Sequence, residues 1–260
     1  MIRFQNSNPP PTPPWKGGEF NMSTPKISII IPLYNQYKKL LQCLESIKNQ
    51  TIISPHARGG DKEGVGVEII IMNDGSTDIS RQKIESTIQL SNYSTIQLFN
   101  QPNQGAPVAR NNGFAKSSGE YIIFCDADIV MQPDMLEKMN QVLDENPDIS
   151  YAYSSFKFGW KKFKLWDFDA DRLRKIPYIH TTSLMRREHF LGFDPNLKRF
   201  HDWDLFLTML EKGYIGKWIN IVLFKVKAGG SISKWLPKFL ARRNPEYAKA
   251  MDIVKHKHSL

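Results

Sequence analysis

Gly119-Glu120-Tyr121-Ile122-Ile123-Phe124-Cys125-Asp126-Ala127-Asp128 is the stretch on which the reading of the whole chain turns. Tyr121 to Cys125 is an apolar run of the kind that makes a buried strand, and it ends abruptly in two aspartates around one alanine. The same form recurs upstream. Ile27 to Ile31 is a β-branched run closed by Pro32 and followed by Tyr34 and Asn35. Val67 to Met72 is an apolar run broken by the turn-forming Asn73-Asp74-Gly75-Ser76, and Ile96 to Phe99 is a third short one. Helical patterns lie between them. Tyr37 to Asn49 carries Leu40, Leu41, Leu44 and Ile47 at helical spacing, and Asp78 to Leu90 reads as a helix. Gly105 to Lys116 is a helix with Pro107 near its start, where a missing N–H costs least, and Gly119 after its end. Strands alternating with helices predict an α/β fold, a doubly wound and mostly parallel sheet. Ligands of such sheets bind at the carboxyl ends of the strands. Tyr34, Asn35, Asp74, Asp126 and Asp128 all follow strands and are expected to converge on one edge.

The chain has 260 residues, enough for one large domain or two small ones. Apolar residues make up 41% and charged residues 23%, which excludes disordered, collagen-like and coiled-coil classes. Cys43 and Cys125 are too few for a disulfide framework or a cysteine-rich zinc site. Both sit in apolar runs and read as reduced, buried thiols of a cytoplasmic protein. There is neither a membrane-spanning apolar stretch nor a secretory signal. Charge divides the chain. Residues 1–156 hold 13 basic and 16 acidic side chains, net −3, whereas residues 157–260 hold 22 and 10, net +12. A basic C-terminal part implies an acidic partner or a solvated basic face.

Four segments follow. Residues 1–25, rich in proline and asparagine, read as a disordered tail, with Met22 a plausible alternative start of translation. Residues 26–130 form the ligand-binding α/β half. Residues 131–233 are less regular: a helix over Asp134 to Glu145, strands over Ile149 to Phe156, Ile179 to Met185 and Trp218 to Phe224, and a helix over Asp202 to Glu211. Residues 234–260 are a basic tail, in which Trp235 to Arg243 mixes apolar and cationic residues as an interfacial segment would, although Pro237 weakens a helical version.

Several residues carry candidate chemistry. Residues two apart in an extended strand point the same way, so Asp126 and Asp128 can share a site. Two close carboxylates repel unless a cation or proton lies between them, and hard oxygens suit Mg²⁺ or Mn²⁺. The plainer alternative is a turn with two solvated aspartates. Asp74 either makes a turn or accepts a hydrogen bond from a ligand N–H such as a nucleobase imide. Arg110 either pairs with a phosphate, whose geometry guanidinium matches, or makes a surface ion pair. Asp202, at the start of a helix, either complements the helix dipole or is a general base. No glycine-rich dinucleotide or P-loop motif is present.

The order and spacing of these segments are more specific than any one of them. The chain resembles the family 2 glycosyltransferases, inverting enzymes of the GT-A fold. The resemblance rests on Ser28-Ile29-Ile30-Ile31-Pro32-Leu33-Tyr34-Asn35, on Ile71-Met72-Asn73-Asp74-Gly75-Ser76-Thr77-Asp78, and on Asn103 through Arg110-Asn111. It continues in Gly119 through Asp128, and in Gly192-Phe193-Asp194-Pro195-Asn196 followed by His201-Asp202-Trp203-Asp204-Leu205. It implies a single domain of Rossmann-like character with a smaller acceptor-side region, running from about residue 26 to about residue 233. It further implies that Pro32, Tyr34 and Asn35 line a nucleotide pocket, that Asp74 contacts the base, usually uracil, and that Asp126 sits by the ribose or the metal. Asp128 would bind a divalent metal, Mn²⁺ or Mg²⁺, that bridges the diphosphate, and Asp202 would be the catalytic base.

Departures from the family pattern are specific. His201 stands where a glutamate usually precedes the base, and Ile129 where a third aspartate often follows the metal motif. Lys225 and Lys227 occupy the region of a histidine that can ligate the metal, and one of them is a candidate partner of the diphosphate instead. The Gln-x-x-Arg-Trp motif of processive synthases is absent. The expectation is a hexosyltransferase that moves one sugar from a nucleotide-diphosphate donor, first a UDP-sugar, to an acceptor hydroxyl. A lipid-linked sugar or surface polysaccharide is a plausible acceptor. The chain is expected to be cytoplasmic, with a possible peripheral contact at the inner face of the membrane, and to have no nucleic-acid partner. A non-catalytic nucleotide- or sugar-binding module of the same fold is the alternative.

Overall fold

In the computed structural model the described residues are 25–53, 65–77, 83–86, 95–227 and 245–260. The expected N-terminal tail up to residue 24, with Met22, and the segment Trp235 to Arg243 lie outside them, as does most of the helix expected over Asp78 to Leu90, of which 83–86 is helical.

The strands are β1 (Ile27–Leu33), β2 (Val67–Asp74), β3 (Ile96–Gln101), β4 (Tyr121–Phe124), β5 (Ile129–Met131), β6 (Tyr151–Phe158), β7 (Lys161–Phe163), β8 (Leu184–Arg186) and β9 (Gly216–Val226). Among the described residues the helices are α1 (Tyr37–Lys48), α2 (Ala106–Lys116), α3 (Met135–Glu145), α4 (Ala170–Lys175), α5 (His201–Glu211) and α6 (Pro245–Lys257), with a 3₁₀ turn at Arg187–His189. One sheet runs in the order β3-β2-β1-β4-β8-β6-β9-β5, and β7 pairs with β6. Its first four strands are parallel, in the registers Ile27 opposite Val67, Ile27 opposite Tyr121 and Ile69 opposite Ile96. The strands β1, β2 and β4 are buried on both faces, as their unbroken apolar runs require. Helices cover both faces. Leu40, Cys43, Leu44 and Ile47 of α1 and Met135, Leu136, Met139 and Leu143 of α3 join one core. Ala109 of α2, Leu205, Phe206 and Met209 of α5 and Val254 of α6 join the other. Cys43 and Cys125 are free, buried and 3.5 Å apart at sulfur.

The second half departs from expectation in three places. The strand expected over Ile179 to Met185 is reduced to β8. The Thr182 N–H bonds to His180 Nδ1 (3.0 Å) and the Ser183 hydroxyl to the His180 carbonyl (2.7 Å). These local bonds take the place of ladder bonds before Leu184. β5, β7 and α4 fall in stretches with no clean period. The expected basic tail ends in a packed helix over 245–257. There Lys257 bridges Asp194 and Asp204 (2.8 Å each), and His258 lies against Asp204 (2.9 Å) and Glu211 (2.6 Å). No helix among the described residues is long and apolar enough to cross a membrane.

Gly113 sets how closely α2 approaches the sheet. A Cβ there would lie 2.5 Å from Ile30 Cγ2 and 3.0 Å from Met72 Cγ. Alanine is the better helix former by about 1 kcal/mol, but overpacking a buried central strand costs about 1 to 3 kcal/mol. Ile30 is fully buried and stiff at its branch, so the clash dominates. Gly113→Ala is therefore expected to lower Tm in thermal unfolding; an unchanged or higher Tm would contradict this packing.

Candidate active site

The loops that leave the carboxyl ends of β1, β2 and β3 are bound to one another. Asn35 adopts a left-handed conformation (φ 51°), which asparagine tolerates. Its side-chain oxygen accepts the Thr77 N–H at 2.7 Å, and its own N–H donates to Ser76 Oγ at 3.1 Å. Pro32 is the sixth residue of β1, and Tyr34 is exposed beyond it. Asp74 is buried. Its Oδ1 accepts from Gln101 Nε2 and from the Gln104 N–H (2.8 Å each), and its Oδ2 accepts the Gly105 N–H (2.9 Å). Asp74 thus shapes the Asn103–Gly105 loop that leads into α2, whatever ligand it also meets. Gly75 turns the chain beside it with φ 71°, where a Cβ would press on the Asn103 nitrogen at 2.8 Å.

Asp126, Ala127 and Asp128 form a turn closed by the Ile129 N–H bonding to the Asp126 carbonyl at 2.9 Å. The two carboxylates are brought together by this turn and not by the alternation of an extended strand. Burial alone would raise the Asp126 carboxyl, but Arg110 beside it holds it below the usual carboxylate range. Asp128 is buried, and burial together with the neighbouring Asp126 charge pushes its carboxyl up to about 6. Lys39 of α1 lies 3.8 Å from Asp128 Oδ2. Lys227 meets Asp128 through the backbone, its N–H donating to the Asp128 carbonyl at 2.9 Å, while its ammonium donates to Gln42 Oε1. Lys225 is exposed on β9.

Arg110 is buried on α2, not at the surface. Its Nη2 donates to Asp126 Oδ1 at 2.6 Å, and its Nη1 meets His201 Nε2 at 2.8 Å. Arginine only donates, so His201 Nε2 is the acceptor and the ring is neutral with its proton on Nδ1. Burial, then the positive charge of Arg110, lowers its pKa to about 4. His201 is the first residue of α5, and Asp202 follows it in the first turn, its Oδ1 accepting the Trp203 N–H at 2.9 Å. The structure therefore gathers Asp126, Asp128, Arg110, His201 and Asp202 on one side, and Asn35 with Asp74 in the adjoining loops.

His180 had no signal in the sequence. Its ring packs against the stacked pair Phe156 (5.4 Å) and Phe224 (5.2 Å), and Asp126, Asp202 and Arg110 are the charges that act on it. Burial, outweighing the two aspartates, lowers its pKa. Because Nδ1 accepts the Thr182 N–H, the neutral ring carries its proton on Nε2 and offers a hydrogen-bond donor.

A parallel sheet with acidic and basic side chains assembled at its carboxyl edge is the arrangement of an α/β nucleotide site. Residues 28–200 match the family described as Glycosyl transferase family 2, and the chain belongs to that family. Asp202 lies just past the matched span. An uncharacterized glycosyltransferase of Escherichia coli, YibD, is 36% identical over 165 residues, covering 63% of this chain and 44% of its own length. An uncharacterized glycosyltransferase of Haemophilus influenzae is 36% identical over 201 residues, covering 74% of each. The chain thus spans less than half of the E. coli relative. Among solved structures, S. aureus TarS 1-349 in complex with UDP superposes with a TM-score of 0.65 at 17% identity, covering 88% of this chain and 65% of that one. The mannosyltransferase PcManGT from Pyrobaculum calidifontis, in complex with GDP-Man and Mn²⁺, gives 0.62 at 18% identity, covering 92% and 68%. The fold is that of the GT-A glycosyltransferases.

His201 gives up its proton on folding, since its pKa falls from 6.5 to about 4. Between those values the unfolded chain binds the extra proton, so its contribution is complete above pH 6.5 and is lost as the pH falls toward 4. His180 shifts in the same direction and adds to the slope. His201→Gln keeps an acceptor for Arg110 without titrating. Denaturant unfolding across this window should show a flatter dependence on pH for the variant than for the parent; equal slopes would contradict a neutral His201.

Proposed function

We propose that the chain is an inverting glycosyltransferase that moves one sugar from a nucleoside-diphosphate donor, UDP-sugars first, to an acceptor hydroxyl. The observation that carries this reading is the Arg110 guanidinium, which holds Asp126 on the donor side and His201, next to Asp202, on the other. In this reading Asp126 and Arg110 meet the ribose and the first phosphates of the donor, and Asn35 and Asp74 border the base. UDP as the first choice draws support from the TarS complex, and GDP from the mannosyltransferase complex.

The carboxyl pair suits a hard divalent cation. Asp126 is half-buried and Asp128 is buried, and two neighbouring like charges gain from a cation between them. No third carboxylate, histidine or cysteine joins them in a metal-binding group among the described residues, so other ligands would come from the donor and water. Asp128 and Asp126 would hold the ion, Mn²⁺ or Mg²⁺, which when bound supplies Lewis-acid stabilisation of the departing diphosphate.

The remaining work falls to this chain's own groups. Asp202 takes the proton of the acceptor hydroxyl as that oxygen attacks the anomeric carbon from the face opposite the nucleotide. The bond from that carbon to the diphosphate breaks, and its electron pair leaves with the phosphate oxygen. Arg110, fixed in a buried site, lends positive charge that needs no rearrangement as the leaving group charges up. His180 Nε2–H provides a neutral donor on the acceptor side. A lipid-linked sugar or surface polysaccharide is the acceptor class this reading favours, met by a cytoplasmic chain with peripheral contact at the inner face of the membrane.

Turnover with a panel of UDP-, GDP- and dTDP-sugars, followed by NMR of the anomeric signal, tests the proposal. A product of inverted configuration is expected. Asp202→Asn should lower turnover by about 10² to 10⁴-fold while UDP affinity stays within a few-fold. A variant that turns over as the parent does would remove Asp202 as the base.

A further inference from the structure

We propose that Lys39 is a diphosphate-binding residue of this site: its ammonium leaves Asp128 to donate to the phosphate oxygens of the nucleotide, sharing the leaving-group charge with the divalent cation. The proposal rests on the nucleotide-sugar reading above and assigns a cation to it that the sequence motifs do not contain.

The Lys39 ammonium is buried and has no hydrogen-bond partner among the described residues. Its nearest anion, Asp128 Oδ2, is 3.8 Å away, an ion-pair distance but too long for a hydrogen bond. An ammonium carries three donors, and a buried charge without hydrogen bonds is costly. Such a group gains from an anion that supplies the missing acceptors once the side chain turns from Asp128. The other cations near Asp128 are placed differently. Arg110 is committed to Asp126 and His201, Lys227 to Gln42, and Lys225 is exposed on β9. Lys39, at the third position of α1 after the Tyr34–Asn35 loop, is the half-buried cation beside Asp128.

Two consequences follow from simple charge. When the sugar–phosphate bond breaks, its electron pair goes to the diphosphate, and a Lys39 N–H donating to that oxygen is worth more in the product than in the donor. A positive charge 3.8 Å from Asp128 also opposes a divalent cation there, so removing it should tighten binding of the metal alone.

Ligand-observed NMR and calorimetry of the whole chain with uridine and with UDP, each in EDTA and in Mn²⁺, test this with Lys39→Ala and Lys39→Arg. We expect Lys39→Ala to weaken UDP in EDTA by tenfold or more, to leave uridine unchanged, and to bind Mn²⁺ alone more tightly than the parent. Lys39→Arg should retain most of the UDP affinity. Equal UDP affinity of parent and Lys39→Ala under both conditions would overturn the role of Lys39 alone, as would a parallel loss of uridine and UDP, which marks a structural defect. A parent that binds neither UDP nor GDP in either condition would overturn the nucleotide reading, and this proposal with it.

Discussion

One buried guanidinium joins the two halves of this molecule. Arg110 reaches Asp126 at the end of β4 and His201 at the start of α5, residues 91 apart in sequence from its own helix in the second case. A buried arginine must be paired, and removing one partner of such a pair costs about 3 to 5 kcal/mol. That constraint fixes α5, and Asp202 with it, against the edge of the parallel sheet. The chemistry of the partners matters as much as their positions. His201 is neutral, so the Arg110 charge is balanced by Asp126 alone. Asp128 faces Lys39. With Asp202 in the first turn of α5, the site therefore gathers three acidic and two basic groups.

The start of α5 is held from the other side by the C-terminal helix. Phe200, which precedes His201, has φ 58°, an uncommon conformation for a bulky residue. Its ring packs edge-on against Tyr247 of α6 at 4.8 Å and against Trp203 at 6.1 Å. Asp204, two residues past Asp202, is buried and satisfied by Lys257 and His258. Strain of this kind persists only where the surroundings over-determine it. Here the surroundings are Arg110 on one side and α6 on the other.

Much of the first half was legible in the sequence because local and long-range demands agree there. The apolar runs of β1, β2 and β4 are buried on both faces, and α1 carries the expected stripe. Asp126, Asp128, Arg110 and Asp202 were legible as candidates, but their connection was not. Nothing local in Arg110 reports that its partner is His201, and a buried arginine on a polar helix reads like a surface one. Lys39 follows Lys38 on α1 and looks like part of a solvated face. Strands of three residues, such as β5 and β7, have too few positions to show a period. The Ile179 to Met185 run reads as a strand throughout, but His180 and Ser183 bond to the backbone locally. His180 was invisible for a related reason: its neighbours in the site come from β6, β9 and α5.

The central claim is that Arg110 couples the end of β4 to the start of α5 through Asp126 and His201. A double-mutant cycle between Arg110→Met and His201→Phe, read as unfolding free energy in denaturant at pH 7.5, addresses it most directly. A coupling of about 1 to 3 kcal/mol is predicted for residues that share a buried hydrogen bond. Single effects that add to within about 0.5 kcal/mol would show that the two residues do not meet in the folded protein, and would contradict the account.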